Sequence, residues 1–192
     1  AYIQYTALNN DGNIHITGGT LDNSTGSTFM PTSISSITGT GTFSNSGTFS
    51  LPINFSFSSG VTFSNSGNVN GIGNLITNGP FIWNGGTIAG SGTLTPNNNA
   101  TWSSGTLQRT FAINNGQTLT IGNTGSYCYI STDGSLQNQG TVNWNNAFIY
   151  WQGTNPSINN NGIFNIDNAG YGIYYSNAYG IFNNTGTINK LN

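Results

Sequence analysis

One short unit recurs along the chain about every 20 residues, and it limits the fold more than any other feature of the sequence. From residue 43 the chain reads FSNSGTF, from 63 FSNSGNV, from 83 WNGGTI and from 102 WSSGTL. Each copy has an aromatic, a short Asn/Ser stretch, a Gly, a polar residue and an apolar one. The aromatics Phe43, Phe63, Trp83 and Trp102 follow one another at 20, 20 and 19 residues. Later copies, at Tyr129, Tyr150 and Tyr175, come at wider intervals of 27, 21 and 25. A second run accompanies the first: SGTLT at 91–95, GQTLTIG at 116–122, QGTVNW at 139–144, NGIFNI at 161–166 and TGTINK at 185–190. These alternate polar and apolar residues between Gly and Asn, the pattern of short strands with one buried face. No stretch has helical spacing, and Gly and Asn every few residues would break a helix.

Recurring short strands predict an all-β chain: a parallel β-helix (β-solenoid) with about 20-residue coils. In a solenoid, equivalent residues of successive coils stack about 4.8 Å apart, so residue types recur at fixed places. Phe43, Phe63, Trp83 and Trp102 are then expected as one internal aromatic stack. Asn45, Asn65 and Asn84 are expected as an amide ladder at a turn. Gly47, Gly67, Gly86 and Gly105 are expected to supply positive φ at corners. The division expected is residues 1–12 as an N-terminal strand or cap, 13–146 as solenoid coils, and 147–192 as aromatic- and Asn-rich terminal coils or cap. Residues 1–8, AYIQYTAL, resemble a free strand that pairs with a neighbouring subunit or covers a coil end.

Composition agrees with stacking. Of 192 residues only 2 are Lys or Arg and 4 are Asp; there is no Glu. Like charges stacked at about 4.8 Å repel, so stacked positions favour neutral polar side chains. Asn supplies 33 residues and Gly 28. With so few cations, neither nucleic acid nor an anionic membrane surface is an expected partner. No apolar run reaches the ~18 residues of a membrane span. No leader segment is present and the chain starts at Ala1, as in a processed protein or a piece of a larger one. Low charge suits an extracellular protein that is immobilised or meant to associate. Only His15 and Cys128 belong to residue types that ordinarily titrate between about pH 5 and 9, so stability is expected to vary little there.

The segment FIWNGGTIAGSGTLTPNNNATWSSGTL, residues 81–107, resembles the parallel β-helix repeats of bacterial surface and secreted adhesins, the filamentous-haemagglutinin-like group in the broad sense. The likeness runs over about residues 13–190 and weakens after about 124. It implies a right-handed parallel β-helix, an extracellular or cell-surface location, and a role in adhesion or as a stalk. The chain departs from that group in its shortness and its near-total lack of charge.

The residues carry little catalytic chemistry. Enzymes built on β-helices use clustered carboxylates, paired acids or a basic residue. Here Asp133-Gly134 and Asp167-Asn168 read as turns. Arg109 reads as an exposed coil residue rather than a base. His15, in the run NIHIT, falls on the face opposite Ile14 and Ile16, and one His is a poor metal site. Cys128 reads as a buried thiol or an intermolecular disulfide partner. No catalytic residue, metal site or cofactor is assigned. Thr93-x-Thr95 and Thr118-x-Thr120 raise an ice-binding reading, but two units make no array.

Residues 144–182 hold ten aromatics, more than a narrow core needs. In strands, adjacent residues face opposite sides, so one of Tyr150-Trp151 and one of Tyr174-Tyr175 should point outward. These four are the candidate interface or glycan contacts. The expected function is a non-enzymatic structural or adhesive β-solenoid of an extracellular surface protein or self-associating fibre. Its partner would be another copy of itself, a surface protein or a surface glycan. The alternative is a carbohydrate-binding module; an ice-binding protein and a polysaccharide-active enzyme rank lower.

Overall fold

The computed structural model describes residues 1–33, 36–123 and 125–192. The described chain is all-β, with no helix, and winds into a parallel β-solenoid of about nine turns with coils of about 21 residues. Every strand pairing is parallel, and neighbours in space are successive coils. Ten strands, from Tyr2–Ile3 through Thr42–Asn45, Thr62–Asn65, Phe81–Trp83 and Ala100–Trp102 to Thr187–Lys190, form the first face. The second face runs from Ala7–Asn10 to Ile173–Tyr175, and the third from Ile14–Ile16 to Ile181–Asn184. Thr87–Pro96 and Gly105–Ile113 turn the corner between these two faces without a break, joining them into one 16-stranded sheet.

Period-2 alternation decides what lies inside. On the first face the inward rank reads Phe43, Phe63, Phe81, Ala100, Leu119, Val142 and Phe164. On the second it reads Phe29, Phe49, Val69, Ile88, Leu107, Ile130 and Trp151. All of these are buried. In the early coils Phe29, Phe43, Phe49, Phe55, Phe57 and Phe63 meet in one cluster, with contacting ring centroids 4.7–6.3 Å apart.

The single aromatic stack expected from the repeat is two stacks. Phe43 lies over Phe63, with centroids 6.1 Å apart, but Phe63 lies over Phe81. Trp83 instead lies over Asn65 on one side and Trp102 on the other, the two indoles 4.7 Å apart and nearly parallel. The cause is the length of two turns: the corner before the strand is two residues shorter, residues 77–81 occupying the place of 57–63, and the turn after it is one residue longer. Asn65 and Gly67 enclose Ser66, whereas Trp83 and Gly86 enclose Asn84 and Gly85. Aligning the motifs by their first aromatic therefore misplaces the strand by two positions.

The same slip corrects the amide ladder. It is formed by Asn23, Asn45 and Asn65, all fully buried, and does not include Asn84. Asn23 Nδ2 donates to Asn45 Oδ1 and Asn45 Nδ2 to Asn65 Oδ1, both at 2.7 Å. The same nitrogens reach across the corner to the carbonyls of Thr48 and Asn68. Asn65 closes on the carbonyls of Gly67 and Gly85. Trp83 then takes the position, and its Nε1 donates to the same Gly85 carbonyl at 2.6 Å. A second ladder, Asn138, Asn160 and Asn184, closes the corner between the third and first faces, with amide bonds of 2.6 Å. It escaped the sequence reading, although Asn-x-Gly recurs at 138–140, 160–162 and 184–186 just as at 45–47 and 65–67.

The glycines of these corners serve two purposes. Gly86 and Gly105 have φ of 72° and 112°, as expected. Gly47 and Gly67 do not take positive φ; a Cβ there would collide with the backbone carbonyl of Ser24 and of Gly47.

Residues 1–10 supply the first coil. Tyr2–Ile3 pairs with Asp22–Asn23, and Ala7–Asn10 with Thr28–Pro31, so the segment covers the edge of its own second coil. Residues 147–190 continue as regular coils, with strands on all three faces.

Replacing Asn45 with Ala orphans a donor on Asn23 and acceptors on Asn65 and Asn68. The expected loss is about 3 kcal/mol, as each buried unsatisfied group costs about 1–3 kcal/mol. Urea unfolding of Asn45→Ala against the parent checks it; a loss no larger than that of the exposed Asn115→Ala would refute the ladder's role.

Candidate interaction surface

The outward side of the second face changes character along the solenoid. In the early coils its rank reads Thr28, Thr48, Asn68, Thr87 and Thr106. From the next coil the same rank reads Tyr129, Tyr150 and Tyr174. Two residues away, Tyr127 and Phe148 form a parallel rank. The rings stack along the axis: Tyr129–Tyr150 centroids are 5.5 Å apart, Tyr150–Tyr174 5.6 Å and Tyr127–Phe148 5.3 Å, all near parallel. Tyr171 packs edge-on against Phe148 at 4.8 Å. Tyr127 and Tyr174 are exposed, and the others are half-buried. Desolvation by these neighbours raises the Tyr150 phenol above its ordinary range, and the phenols of Tyr127, Tyr129 and Tyr174 add to it.

The four candidate contacts separate accordingly. Tyr150 and Tyr174 belong to this outward ladder. Trp151 points inward: it is buried beneath Ile130's position, and Gly180 packs flat on its indole. It is a core residue, placed there by the same alternation that turns Tyr150 out. Tyr175 lies in register with Trp151 in the last described coil, where it is exposed and leans on Tyr179 with centroids 5.0 Å apart. The early members of the ladder, Tyr127, Tyr129 and Phe148, were not among the candidates. Their signal was the alternation in SYCYI and AFIYW, which places Tyr127, Tyr129, Phe148 and Tyr150 on one side.

The last coil leaves its strands paired on one side only. Ile173–Tyr175, Ile181–Asn184 and Thr187–Lys190 bond back to the previous coil. Tyr175, Ile181 and Ile188 are 60%, 59% and 44% exposed along this edge. At the opposite end Tyr2–Ile3, Ala7–Asn10 and Ile14–Ile16 are likewise paired on one side.

Arg109 was expected on the surface and is in the core, 1% exposed. It sits where Gly90, Ser91 and Gly92 bulge opposite a single residue of the next coil. Its Nε donates to the carbonyl of Gly92 and its Nη2 to that of Gly73, both at 2.7 Å. Gly92 lacks the Cβ that would strike the guanidinium. Desolvation lowers its pKa to about 10, so it remains a cation at neutral pH, held by backbone dipoles. Arg109→Ala would leave a cavity and free carbonyls, with an expected loss of about 3 kcal/mol. Arg109→Met, which keeps the volume, should lose less; equal losses in thermal unfolding would contradict this account.

The other ionisable groups are dispersed. His15 is exposed on the side away from Ile16, its Nδ1 2.9 Å from Thr38 Oγ1. Asp133 takes positive φ in its turn. Asp167 accepts from Asn192, and Asp22 from Ser24. No group of three or more His, Cys, Asp or Glu converges among the described residues. A recess of about 450 Å³ between Thr32, Ile53, Phe55 and Ile76 has no ionisable side chain in its lining. Thr93 and Thr95 lie on the third face, and Thr118 and Thr120 on the first. No described helix is long and apolar enough to cross a membrane. Comparison with protein-family models, curated proteins and solved structures finds no match for this chain.

Cys128 is fully buried, its Sγ 3.6 Å from the Trp102 carbonyl, and burial pushes the thiol well above its ordinary range. The folded state therefore keeps a proton that the unfolded state releases above about pH 8.5. Stability from this group is complete below that value and falls as pH rises past it, by at most about 1.4 kcal/mol per pH unit. The difference in unfolding free energy between parent and Cys128→Ala should shrink from pH 8 to 10; a constant difference would disprove the coupling.

Proposed function

We propose that this chain is a structural or adhesive β-solenoid of an extracellular surface protein or fibre, working by coil-on-coil association. The observation that carries the reading is the parallel, in-register stacking of uncharged coils, in which each coil is a template for the next. In the last described coil, three parallel strands carry exposed Tyr175, Ile181 and Ile188. Coil-on-coil contact between copies is head-to-tail and does not close on itself, which gives filaments. The near-absence of charge removes the repulsion that keeps ordinary proteins apart. Repeats like those of filamentous-haemagglutinin-like adhesins fit the same role, as does the extracellular setting they imply.

A carbohydrate-binding module is the second reading, supported by the outward tyrosines. The ring geometry favours it less. A sugar stacks on an aromatic face, and here the faces are spent on one another, leaving edges and hydroxyls outward.

Negative-stain microscopy and sedimentation velocity over about 1 µM to 1 mM test the proposal, the span in which contacts of about −8 to −4 kcal/mol appear. The expected result is concentration-dependent filaments, shortened or abolished by Ile188→Asp. A parent protein that stays monomeric throughout and binds a neutral glycan would transfer the function to the second reading.

A further inference from the structure

We infer that the aromatic ranks of the second face, Tyr127–Phe148 and Tyr129–Tyr150–Tyr174, are a lateral docking surface for a second copy of this chain. The inference deepens the self-association reading with a contact that is separate from the end edges.

Pitch points to this occupant. The rungs repeat at one coil each, with ring centroids 5.3–5.6 Å apart. A partner meets every rung only if it repeats at the same interval, and another copy of the solenoid does. Identical ladders of this kind mesh as the dry interfaces between paired cross-β sheets do. The two ranks touch, Tyr127 and Phe148 lying 6.0 and 6.2 Å from Tyr150, so they form one continuous aromatic patch that a second copy turned about a two-fold axis can cover.

Chemistry points the same way. The strands 126–130, 147–151 and 173–175 contain none of the six charged residues of the chain. The face thus neither repels its own copy nor attracts a charged polymer. Because the ring faces are stacked on each other, the outward parts are edges and phenol hydroxyls, which another set of tyrosines complements by edge contacts and hydroxyl hydrogen bonds. The surface is also local. The same outward rank is Thr or Asn in the coils from Thr28 to Thr106, and aromatic only beyond.

The size sets the strength. Five half-covered rings of roughly 200 Å² each present about 500 Å² per copy. That is below the ~800 Å² per partner of a stable complex, so an isolated pair is weak and side-by-side filaments gain by repetition.

Cysteine cross-linking of the full chain tests it, because Cys128 is buried and gives no background. Under a mild oxidant such as oxidised glutathione, Tyr150→Cys should form a disulfide-linked dimer, and Thr48→Cys, on the Thr part of the same rank, should not. Tyr127→Cys is the second probe if Tyr150→Cys is misfolded by circular dichroism. Adding Ile188→Asp to either cysteine variant should leave the dimer in place while filaments are lost, which separates this contact from end pairing. In sedimentation, Ile188→Asp with Tyr150→Ser and Tyr174→Ser should dimerise at least about tenfold more weakly than Ile188→Asp alone, the loss of about 1.4 kcal/mol or more. Equal cross-linking at Tyr150→Cys and Thr48→Cys, none at either tyrosine position, or loss of the dimer with Ile188→Asp would each overturn the inference.

Discussion

Parallel, in-register stacking is the constraint from which the rest of this molecule follows. Each residue meets, one coil above and one below, the residue in its own position. A side chain is therefore kept only if it tolerates its equivalent at about 4.8 Å. Amides do so by donating and accepting along the axis. Aromatics do so by stacking. Glycines do so because the backbone of one coil presses on the next, as at Gly67 over Gly47 and Gly186 over Gly162. Charged groups do not, and the chain has almost none. Composition and fold are two results of one geometry.

The lone buried cation fits the same rule. At the level of Arg109 the preceding coil holds only the uncharged Gly90, Ser91 and Gly92. Its partners are carbonyls at two successive corners, Gly73 and Gly92, and no carboxylate. A bulge created the space, and the planar guanidinium, with donors pointing along two directions, bridges two coils where a lysine could reach only one. Alternation with Leu107 and Phe111 in LQRTF already marks Arg109 as inward; what the sequence concealed is the bulge at Gly90–Gly92 that makes room there for a guanidinium.

Period and alternation were enough to identify a solenoid and the inward side of each strand. Phe43 and Phe63 stack as the 20-residue repeat implies, as do Trp83 and Trp102. The join between those pairs was hidden, because a fixed period assumes turns of fixed length. The corner before Phe81 is two residues shorter than the one before Phe63, which moves the strand by two relative to the motif. Trp151 was misread for a related reason. Adjacent aromatics reveal that one of them points outward, but choosing which requires the register, here fixed by Ile130 on Trp151 and Tyr129 on Tyr150. The second ladder was legible as Asn-x-Gly, but its copies are separated by wider, irregular coils.

How a buried ladder ends is as constrained as how it continues. An amide column always has a first acceptor and a last donor without an amide partner, and inside a protein each such group costs about 1–3 kcal/mol if nothing replaces it. In the first ladder the terminal oxygen, Asn23 Oδ1, is buried without a partner. The terminal nitrogen, on Asn65, is satisfied by the Gly67 and Gly85 carbonyls, and Trp83 takes over the corner with its indole N–H on that same Gly85 oxygen. The exchange lets an apolar stack replace a polar one with the turn carbonyl still bonded. Trp102, the next rung, has its Nε1 buried and unpaired, and Trp144 restores the bond through the Ala147 carbonyl. The second ladder ends differently: Asn184 Nδ2 bonds the Gly186 carbonyl at an exposed edge, where water can serve whatever remains. An exposed rung of that kind carries no buried penalty.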